Sequence, residues 1–281
     1  MNTNGNAYTV IYTTVVVALV AAILAFVSMT LKPKQDANIK AETISQMLTA
    51  AQFYTKDECS AMGNDKVLEA YSQNIKEAYT IDLDGSKVRD LSTDVKNIEL
   101  QDGLKAQDKN IKGGKSADLP VYVFNKDGKS VTVIPVYGAG LWGPIWGYIA
   151  LDEDLQTIVG AYFDHDSETP GLGAKIKDDP SFRAEFVGKR VNVAADPAFS
   201  IVKKGTEADA ESSVDAITGA TMTSKGLGTA IAAWIKAYAP FLSSAAPANE
   251  CCGKGGDCDG SMPCCQDSTD TKCCADSTVT E

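Results

Sequence analysis

The chain has 281 residues, of which 44% are hydrophobic, so it is long enough for one or two domains with a sizeable core. Its formal net charge of −11 argues against a nucleic-acid partner, because binding a phosphate backbone requires a basic surface. The single histidine, His165, excludes a multi-histidine metal site, and seven of the eight cysteines lie between Cys251 and Cys274, so disulfides do not hold the body together.

The N-terminus is apolar and carries no charged side chain in its first 31 residues. As a helix, residues 8–31 would extend roughly 36 Å, which exceeds a bilayer core of about 30 Å. A cleaved signal peptide would have a basic start and a shorter apolar stretch. We therefore expect residues 1–34 to form an uncleaved single membrane anchor. Lys32, Lys34 and Lys40 follow its apolar stretch, residues 8–31, and the positive-inside tendency alone would keep the large domain in the cytoplasm.

The segment after the anchor, residues 35–118, is predicted to be a helical and mixed N-terminal part of the soluble domain. Pro33 marks the expected exit from the membrane. Apolar periodicity predicts helices over residues 36–53 and 66–80. Residues 82–118 are charged and mixed, and no element is predicted there. Cys59 is expected to be a free, partly buried cysteine without a function.

From Leu119 the chain becomes rich in β-formers. Two such runs flank residues 125–128 (Asn-Lys-Asp-Gly), and two more flank residues 152–154, which predicts two hairpins. A last helix is predicted over residues 223–241. We therefore expect an α+β fold with an antiparallel sheet over residues 119–244, followed by a cysteine-rich acidic tail over residues 245–281. The tail contains no Cys-x-x-Cys pair, so we interpret it as a disordered appendage, with metal binding as the alternative.

The segment with the clearest chemical character is residues 215–224, Asp-Ala-Ile-Thr-Gly-Ala-Thr-Met-Thr-Ser. Gly219 and Ala220 would let a ligand approach the backbone closely, and Thr223 or Ser224 could cap a following helix. The N-terminus of a helix offers free N–H groups and a positive dipole end to a phosphate. A capped helix after a hydroxyl-rich turn, without any ligand, explains the same residues.

This segment resembles the flavinylation motif of the FMN-binding domain family. In that family a flavin transferase moves the FMN part of FAD onto a threonine hydroxyl. The resemblance implies that FMN is attached to Thr221 by a phosphoester, with Thr223 as the alternative acceptor. Asp215 matches the acidic residue of the motif, and Thr218 and Gly219 match its turn.

Two upstream segments extend the resemblance, which covers about residues 119–243. Residues 138–143 (Gly-Ala-Gly-Leu-Trp-Gly) resemble a loop in the family of C subunits of sodium-translocating NADH:quinone reductases, and residues 168–173 are similar to the Glu-Thr-Pro-Gly-Leu-Gly loop. The flavin subunit of the Rnf complex shares the second loop and is the alternative. The predicted FMN contacts are residues of these three segments: Gly140, Leu141, Trp142, Glu168, Thr169, Leu172, Gly173, Asp215, Thr218, Gly219, Ala220, Thr221, Thr223 and Ser224.

These loops also make chemical sense without the family. Leu141, Trp142 and Leu172 suit packing against a flat isoalloxazine ring, and Glu168 and Thr169 suit hydrogen bonds to its polar edge or to the loop itself. By contrast, Trp146 is expected to pack in the core. His165 is interpreted as a solvent-exposed histidine between carboxylates, without a catalytic role.

The resemblance implies a flavoprotein subunit that passes electrons one at a time between cofactors of a larger membrane complex, coupled to sodium export. NADH would be bound by another subunit, because no dinucleotide fingerprint is present. The resemblance also places the flavin domain on the periplasmic side of the cell inner membrane. We adopt that side, since the match rests on far more residues than the three lysines. Alternatives from other classes are a membrane-tethered metal-binding protein and an extracellular sensory or adhesive module without a cofactor.

Overall fold

The structure of the chain, a computed structural model, describes residues 5–206 and 208–244. The predicted tail of residues 245–281 lies outside the described residues. The helices are α1 (Asn6–Ala50), α2 (Lys56–Met62), α3 (Asn64–Asn74), α4 (Gln101–Lys112), α5 (Lys175–Asp178), α6 (Pro180–Ala184) and α7 (Thr221–Ser243). The strands are β1 (Ile75–Ile81), β2 (Lys87–Asp90), β3 (Leu119–Lys126), β4 (Lys129–Ala139), β5 (Pro144–Leu151), β6 (Ile158–His165), β7 (Ser200–Val202) and β8 (Ser213–Asp215).

Helix α1 is 45 residues long and runs without a break from the apolar N-terminus into the folded domain. Among the described residues it is the one helix long and apolar enough to cross a membrane. The helix continues through Pro33, so the prediction of a separate helix starting at residue 36 was wrong. A proline in a helix removes one N–H donor, and here the buried turns that follow hold the helix on the domain.

The last turns of α1 belong to the core. Ile44, Met47 and Leu48 are fully buried and pack with α3 and with one face of the sheet. Gln46 is also buried, and its side-chain amide donates to Asp164 Oδ2 at 2.8 Å and accepts from Trp146 Nε1 at 3.2 Å. The expectation that Trp146 packs in the core is therefore confirmed.

A six-stranded antiparallel sheet, in the order β2-β1-β3-β4-β5-β6, forms the centre of the domain. Both predicted hairpins are present, and the first turns through Asp127 and Gly128, whose φ angles of 53° and 86° suit the predicted turn. Helices cover both faces: Val133 packs on the side of α1, whereas Ile134 packs on the side of α7. Double burial explains why β4 is apolar along nearly its whole length. The predicted α+β fold with an antiparallel sheet is confirmed.

The N-terminal edge of the sheet was not predicted. The helix expected over residues 66–80 ends at Asn74, and Ile75–Ile81 forms β1, which pairs with both β2 and β3. Pairing and burial of Ala78 and Ile81 outweigh the helix-favouring composition of this stretch. Residues 82–118, for which no element was predicted, contain β2 and α4. Cys59 is free and buried in α2.

Candidate functional site

Three loops that are far apart in the sequence meet at one end of the sheet. Antiparallel pairing of Ala139 with Pro144, and of Ile145 with His165, brings the β4–β5 turn next to the end of β6. The first turns of α7 join them, because glycine at position 226 lets the helix approach β4. A Cβ atom at Gly226 would lie 2.3 Å from the Ala139 carbonyl oxygen. The three segments singled out in the sequence are therefore neighbours in the fold.

Glu168 connects these three segments, although it is a buried carboxylate that is only 5% exposed. Its Oε1 atom accepts a hydrogen bond from the Trp142 backbone N–H at 2.9 Å. Its Oε2 atom accepts from the Thr223 hydroxyl at 2.6 Å. The Glu168 backbone N–H donates to Nδ1 of His165 at 3.2 Å, so the histidine holds the loop in place and is half-buried. One side chain thus fixes the β4–β5 turn, the loop after β6 and the start of α7.

Two glycines make room for this carboxylate. A Cβ atom at Gly140 would lie 2.3 Å from Glu168 Oε1, and a Cβ atom at Gly173 would lie 2.4 Å from Glu168 Oε2. Gly140 also closes the turn, because its N–H donates to the Gly143 carbonyl at 2.8 Å. The packing of the Glu168 side chain therefore requires glycine at positions 140 and 173, whether or not a ligand also approaches there.

Helix α7 begins two residues earlier than the sequence suggested. Thr221 is its first residue, and no side chain of the described residues caps it. The prediction that Thr223 or Ser224 caps the helix was wrong, since both lie within the first turns and are buried. Thr223 donates to Glu168, and Ser224 Oγ accepts from the Ile217 N–H at 3.1 Å. Thr221, in contrast, is exposed.

The turn before α7 has the conformation that glycine favours. Gly219 has a φ of +84°, and the Ala220 N–H donates to the Ile217 carbonyl at 3.0 Å. A Cβ atom at Gly219 would lie 2.9 Å from Leu172 Cδ2, so the loop after β6 touches this turn directly. Thr218 is exposed at the corner of the turn. The sequence motif is therefore a tight turn that presents the Thr218 and Thr221 side chains to solvent.

Two other predicted residues have mainly backbone roles. The Thr169 carbonyl accepts from the N–H groups of Leu172 and Ala174, each at 3.1 Å, which closes the loop after β6. Asp215 ends β8, where its backbone N–H donates to Glu185 Oε2 at 3.1 Å. Asp215 is half-buried, and its side chain takes part in no hydrogen bond within the described residues.

Four large apolar side chains around these loops are exposed, and we call them the apolar rim: Leu141, Trp142, Leu172 and Met222. Their exposed fractions are 52%, 67%, 43% and 58%. In the described part of the chain beyond α1, just two other large apolar side chains are comparably exposed, Val88 and Val187. A cluster of exposed apolar groups is typical of a surface that binds another molecule.

A cavity of about 270 Å³ lies beside the rim, between the end of β4 and the first turns of α7. Gly140, Met222 and two lysines, Lys112 and Lys225, line it. Sequence reasoning missed Met222 and Lys225 as site residues. The signal was present, because Lys225 follows Thr221 by four residues and so lies on the same face of the helix.

The arrangement suits a ligand that combines a phosphate with a flat aromatic ring. The uncapped start of α7 offers N–H groups and the positive end of the helix dipole, and Lys225 adds a positive charge one turn on. The apolar rim offers an aromatic and aliphatic surface for a ring. These features fit FMN, whose phosphate and isoalloxazine ring have these two chemical characters.

Comparisons with known proteins agree with this geometry. The FMN-binding domain family matches residues 140–236, which include all three loops. The C subunit of the Na(+)-translocating NADH-quinone reductase of Pasteurella multocida is 33% identical over 192 residues, which are 64% of this chain and 73% of that protein. The corresponding subunit of Vibrio parahaemolyticus is 30% identical over 76% of this chain and 85% of its own length.

A solved structure gives the same result. The crystal structure of the corresponding Na(+)-translocating NADH-quinone reductase subunit from Parabacteroides distasonis is similar to this chain with a TM-score of 0.64 and 33% identity. The similarity covers 76% of this chain and 97% of that one. The resemblance found in the sequence is thereby confirmed, and the chain belongs to the family of C subunits of Na(+)-translocating NADH-quinone reductases.

Proposed function

We propose that this chain carries FMN bonded covalently to Thr221 and passes electrons within a sodium-translocating NADH:quinone reductase complex. The observation that carries the proposal is the position of Thr221. Its side chain is exposed at the uncapped start of α7, beside the apolar rim. Thr223, the alternative acceptor, is 2% exposed and its hydroxyl donates to Glu168. A transferase would therefore have little access to this hydroxyl.

The attachment requires one bond to form and one to break. A flavin transferase would join the Thr221 oxygen to the FMN phosphorus of FAD while the pyrophosphate bond breaks, so that AMP leaves and the hydroxyl proton is released. The resulting phosphodiester keeps one negative charge. The N–H groups at the start of α7 and the ammonium of Lys225 would stabilise that charge. We further propose that Asp215, Thr218 and Gly219 present the turn to the transferase.

The protein supplies attachment and orientation, and bound FMN supplies the electron-transfer chemistry. Trp142, Leu141 and Leu172 would pack against the flavin ring, and Met222 would cover it from the helix. Glu168 accepts two hydrogen bonds from the protein and is buried beneath the loops. We therefore assign Glu168 the role of holding the loops in place, and not of contacting the polar edge of the ring.

The remaining parts of the proposal concern the complex. We propose one-electron transfer between FMN and neighbouring cofactors on other subunits, coupled to sodium export, with the enzyme active only as the assembled translocase. Helix α1 would anchor the chain by a single pass in the cell inner membrane, with the flavin domain on the periplasmic side. The buried turns of α1 contact Trp146 and Asp164 near the same sheet end as the site. Residues 119–244 would form the FMN-binding domain, supported by residues 35–118.

The proposal is tested by in-gel flavin fluorescence and intact mass of the denatured protein, produced in cells that contain the flavin transferase. We expect a fluorescent wild-type band with the added mass of FMN, and a dark band for Thr221→Ala. Thr229→Ala is the matched control, because Thr229 is an exposed threonine two turns further along the same helix. A dark wild-type band would refute covalent attachment, and a fluorescent Thr221→Ala band lost in Thr223→Ala would move the attachment to Thr223.

A further inference from the structure

A second cavity, of about 770 Å³, lies away from the FMN site. It opens along β6, which is the last strand of the six-stranded sheet in the described residues. Thr49, at the end of α1, and Gln52, just after it, form one wall, and Lys177 and Arg183, from α5 and α6, form the opposite wall. None of these residues has a part in the proposed flavin chemistry.

The cavity is lined by three cationic side chains that are half-buried: Lys56, Lys177 and Arg183. The Arg183 guanidinium carbon lies 5.1 Å from the centre of the Tyr162 ring, and Lys56 Nζ lies 6.0 Å from the same centre. Lys177 is neutralised by Asp164 at 2.8 Å. Within the described residues, Lys56 and Arg183 have no carboxylate within ion-pair distance. Two cations without counter-ions therefore converge on one aromatic ring in a protein whose net charge is −11.

The acidic side chains that line the cavity are more exposed to solvent than the cationic ones. Asp57, Glu58 and Asp178 also line it, but all three are exposed. The Glu58 carboxylate is already held by the backbone N–H of Thr55 at 2.7 Å and its hydroxyl at 2.9 Å. Burial, and next the charge of Lys177, lower the pKa of Lys56, and the smaller opposing effects of Asp164, Glu42 and Asp178 do not reverse this. The cations are thus more shielded from water than the acids that could balance them.

One side chain that lines the cavity, Thr49, has a buried hydroxyl group that forms no hydrogen bond within the described part of the chain. The hydroxyl of Tyr162, whose ring both cations approach, is also unpaired among the described residues but does not line the cavity. Tyr162 as a whole is 1% exposed. Buried polar groups in folded proteins are nearly always hydrogen-bonded, so an unsatisfied hydroxyl beside unpaired cations needs an explanation. An oxyanion in the cavity would accept hydrogen bonds from Arg183 and Lys56 and offset both charges.

We propose that this cavity binds a small anion bearing a phosphate or carboxylate group, held by Arg183 and Lys56. One amino group of Arg183 donates to the Lys177 carbonyl, which fixes the guanidinium and leaves its other N–H groups for the oxyanion. Lys56 supplies a point charge from the opposite wall. The site is independent of the flavin, because it shares no side chain with the three loops around Thr221.

The test is thermal unfolding of the full-length protein in detergent, titrated with inorganic phosphate, with acetate, or with chloride at matched ionic strength. A ligand that binds the folded state raises the unfolding temperature in a saturable way. We expect saturable stabilisation by phosphate, by acetate or by both, beyond that by chloride; the effective anion identifies the recognised group. Arg183→Gln and Lys56→Gln should each weaken the apparent affinity about tenfold, as expected for a lost charge-assisted hydrogen bond.

Lys236→Gln is the matched control, since Lys236 is 72% exposed and pairs with Asp196 on the surface. It should leave the titration unchanged. Covalent flavin fluorescence, measured in every variant, checks that the fold and its loading persist. The proposal is overturned if neither anion stabilises the wild type more than chloride does. It is equally overturned if all three variants respond to the anions as the wild type does.

Discussion

Replacing Glu168 tests whether this carboxylate is what holds the three loops of the site together. Glu168→Ala removes the acceptor of the Trp142 N–H and of the Thr223 hydroxyl. Hydrogen bonds to a charged group contribute about 1.5–3 kcal/mol each, so the gross loss is about 3–6 kcal/mol. Removing a buried carboxylate that has no cationic partner in the described residues offsets part of this loss. We expect a net decrease of about 2 kcal/mol in the free energy of unfolding.

Glu168→Gln is the matched variant, because it keeps the volume of the side chain. Its amide oxygen can accept from the Trp142 N–H, and its NH₂ group can donate to the Thr223 oxygen once that hydroxyl rotates. We therefore expect a decrease of less than about 1 kcal/mol. Urea unfolding of the detergent-solubilised protein, followed by circular dichroism, measures both. The reasoning fails if Glu168→Ala is as stable as the wild type, or if Glu168→Gln is as damaging as Glu168→Ala.

Two further predictions concern a rim residue and a turn residue. Trp142→Ala should change the free energy of unfolding by less than about 0.5 kcal/mol, since the side chain is 67% exposed. The same substitution should shift the absorption spectrum and the midpoint potential of the flavin. An unchanged spectrum would contradict contact between Trp142 and the flavin ring. Burial alone would raise the pKa of Asp154, but hydrogen bonds from Thr157 and Gln156 lower it below 3.8. The ionised Asp154 carboxylate therefore stabilises the folded state above pH 3.8, and this stabilisation is lost as the pH falls through the lowered pKa. Asp154→Asn should melt at a lower temperature than the wild type at neutral pH, and the difference between the two melting temperatures should shrink below pH 3.8.

The central strands were predictable because local signals and the final fold agree there. Residues 125–128 form a turn that the sequence specifies by itself, and the flanking apolar runs are long enough to be buried on both faces. The strand Ile75–Ile81 was not predictable in this way, since its partners, β2 and β3, are supplied by the rest of the chain. Local composition there favours a helix, and pairing overrides it.

The candidate site, like the sheet, was predictable from the sequence only in part. The sequence identified Glu168, Gly140 and Gly173, but a sequence cannot show that a carboxylate from one loop fills the space left by glycines in the turns around it. That relation depends on strand register, which brings Ala139 and His165 to one sheet end. The start of α7 was misplaced for a related reason. The hydroxyls of Thr223 and Ser224 look like caps in the sequence, but Glu168 and the Ile217 N–H occupy them.

The continuity of α1 has a geometric consequence for the whole assembly. One helix is long and apolar enough to cross a membrane and also contributes Ile44, Met47 and Leu48 to the core, so its apolar N-terminal part and the domain share a single helix axis. Inserting one residue in the exposed stretch between them would turn the domain by about 100° and lift it by about 1.5 Å. The length of that exposed stretch therefore sets the direction, around the axis of α1, in which Thr221 faces.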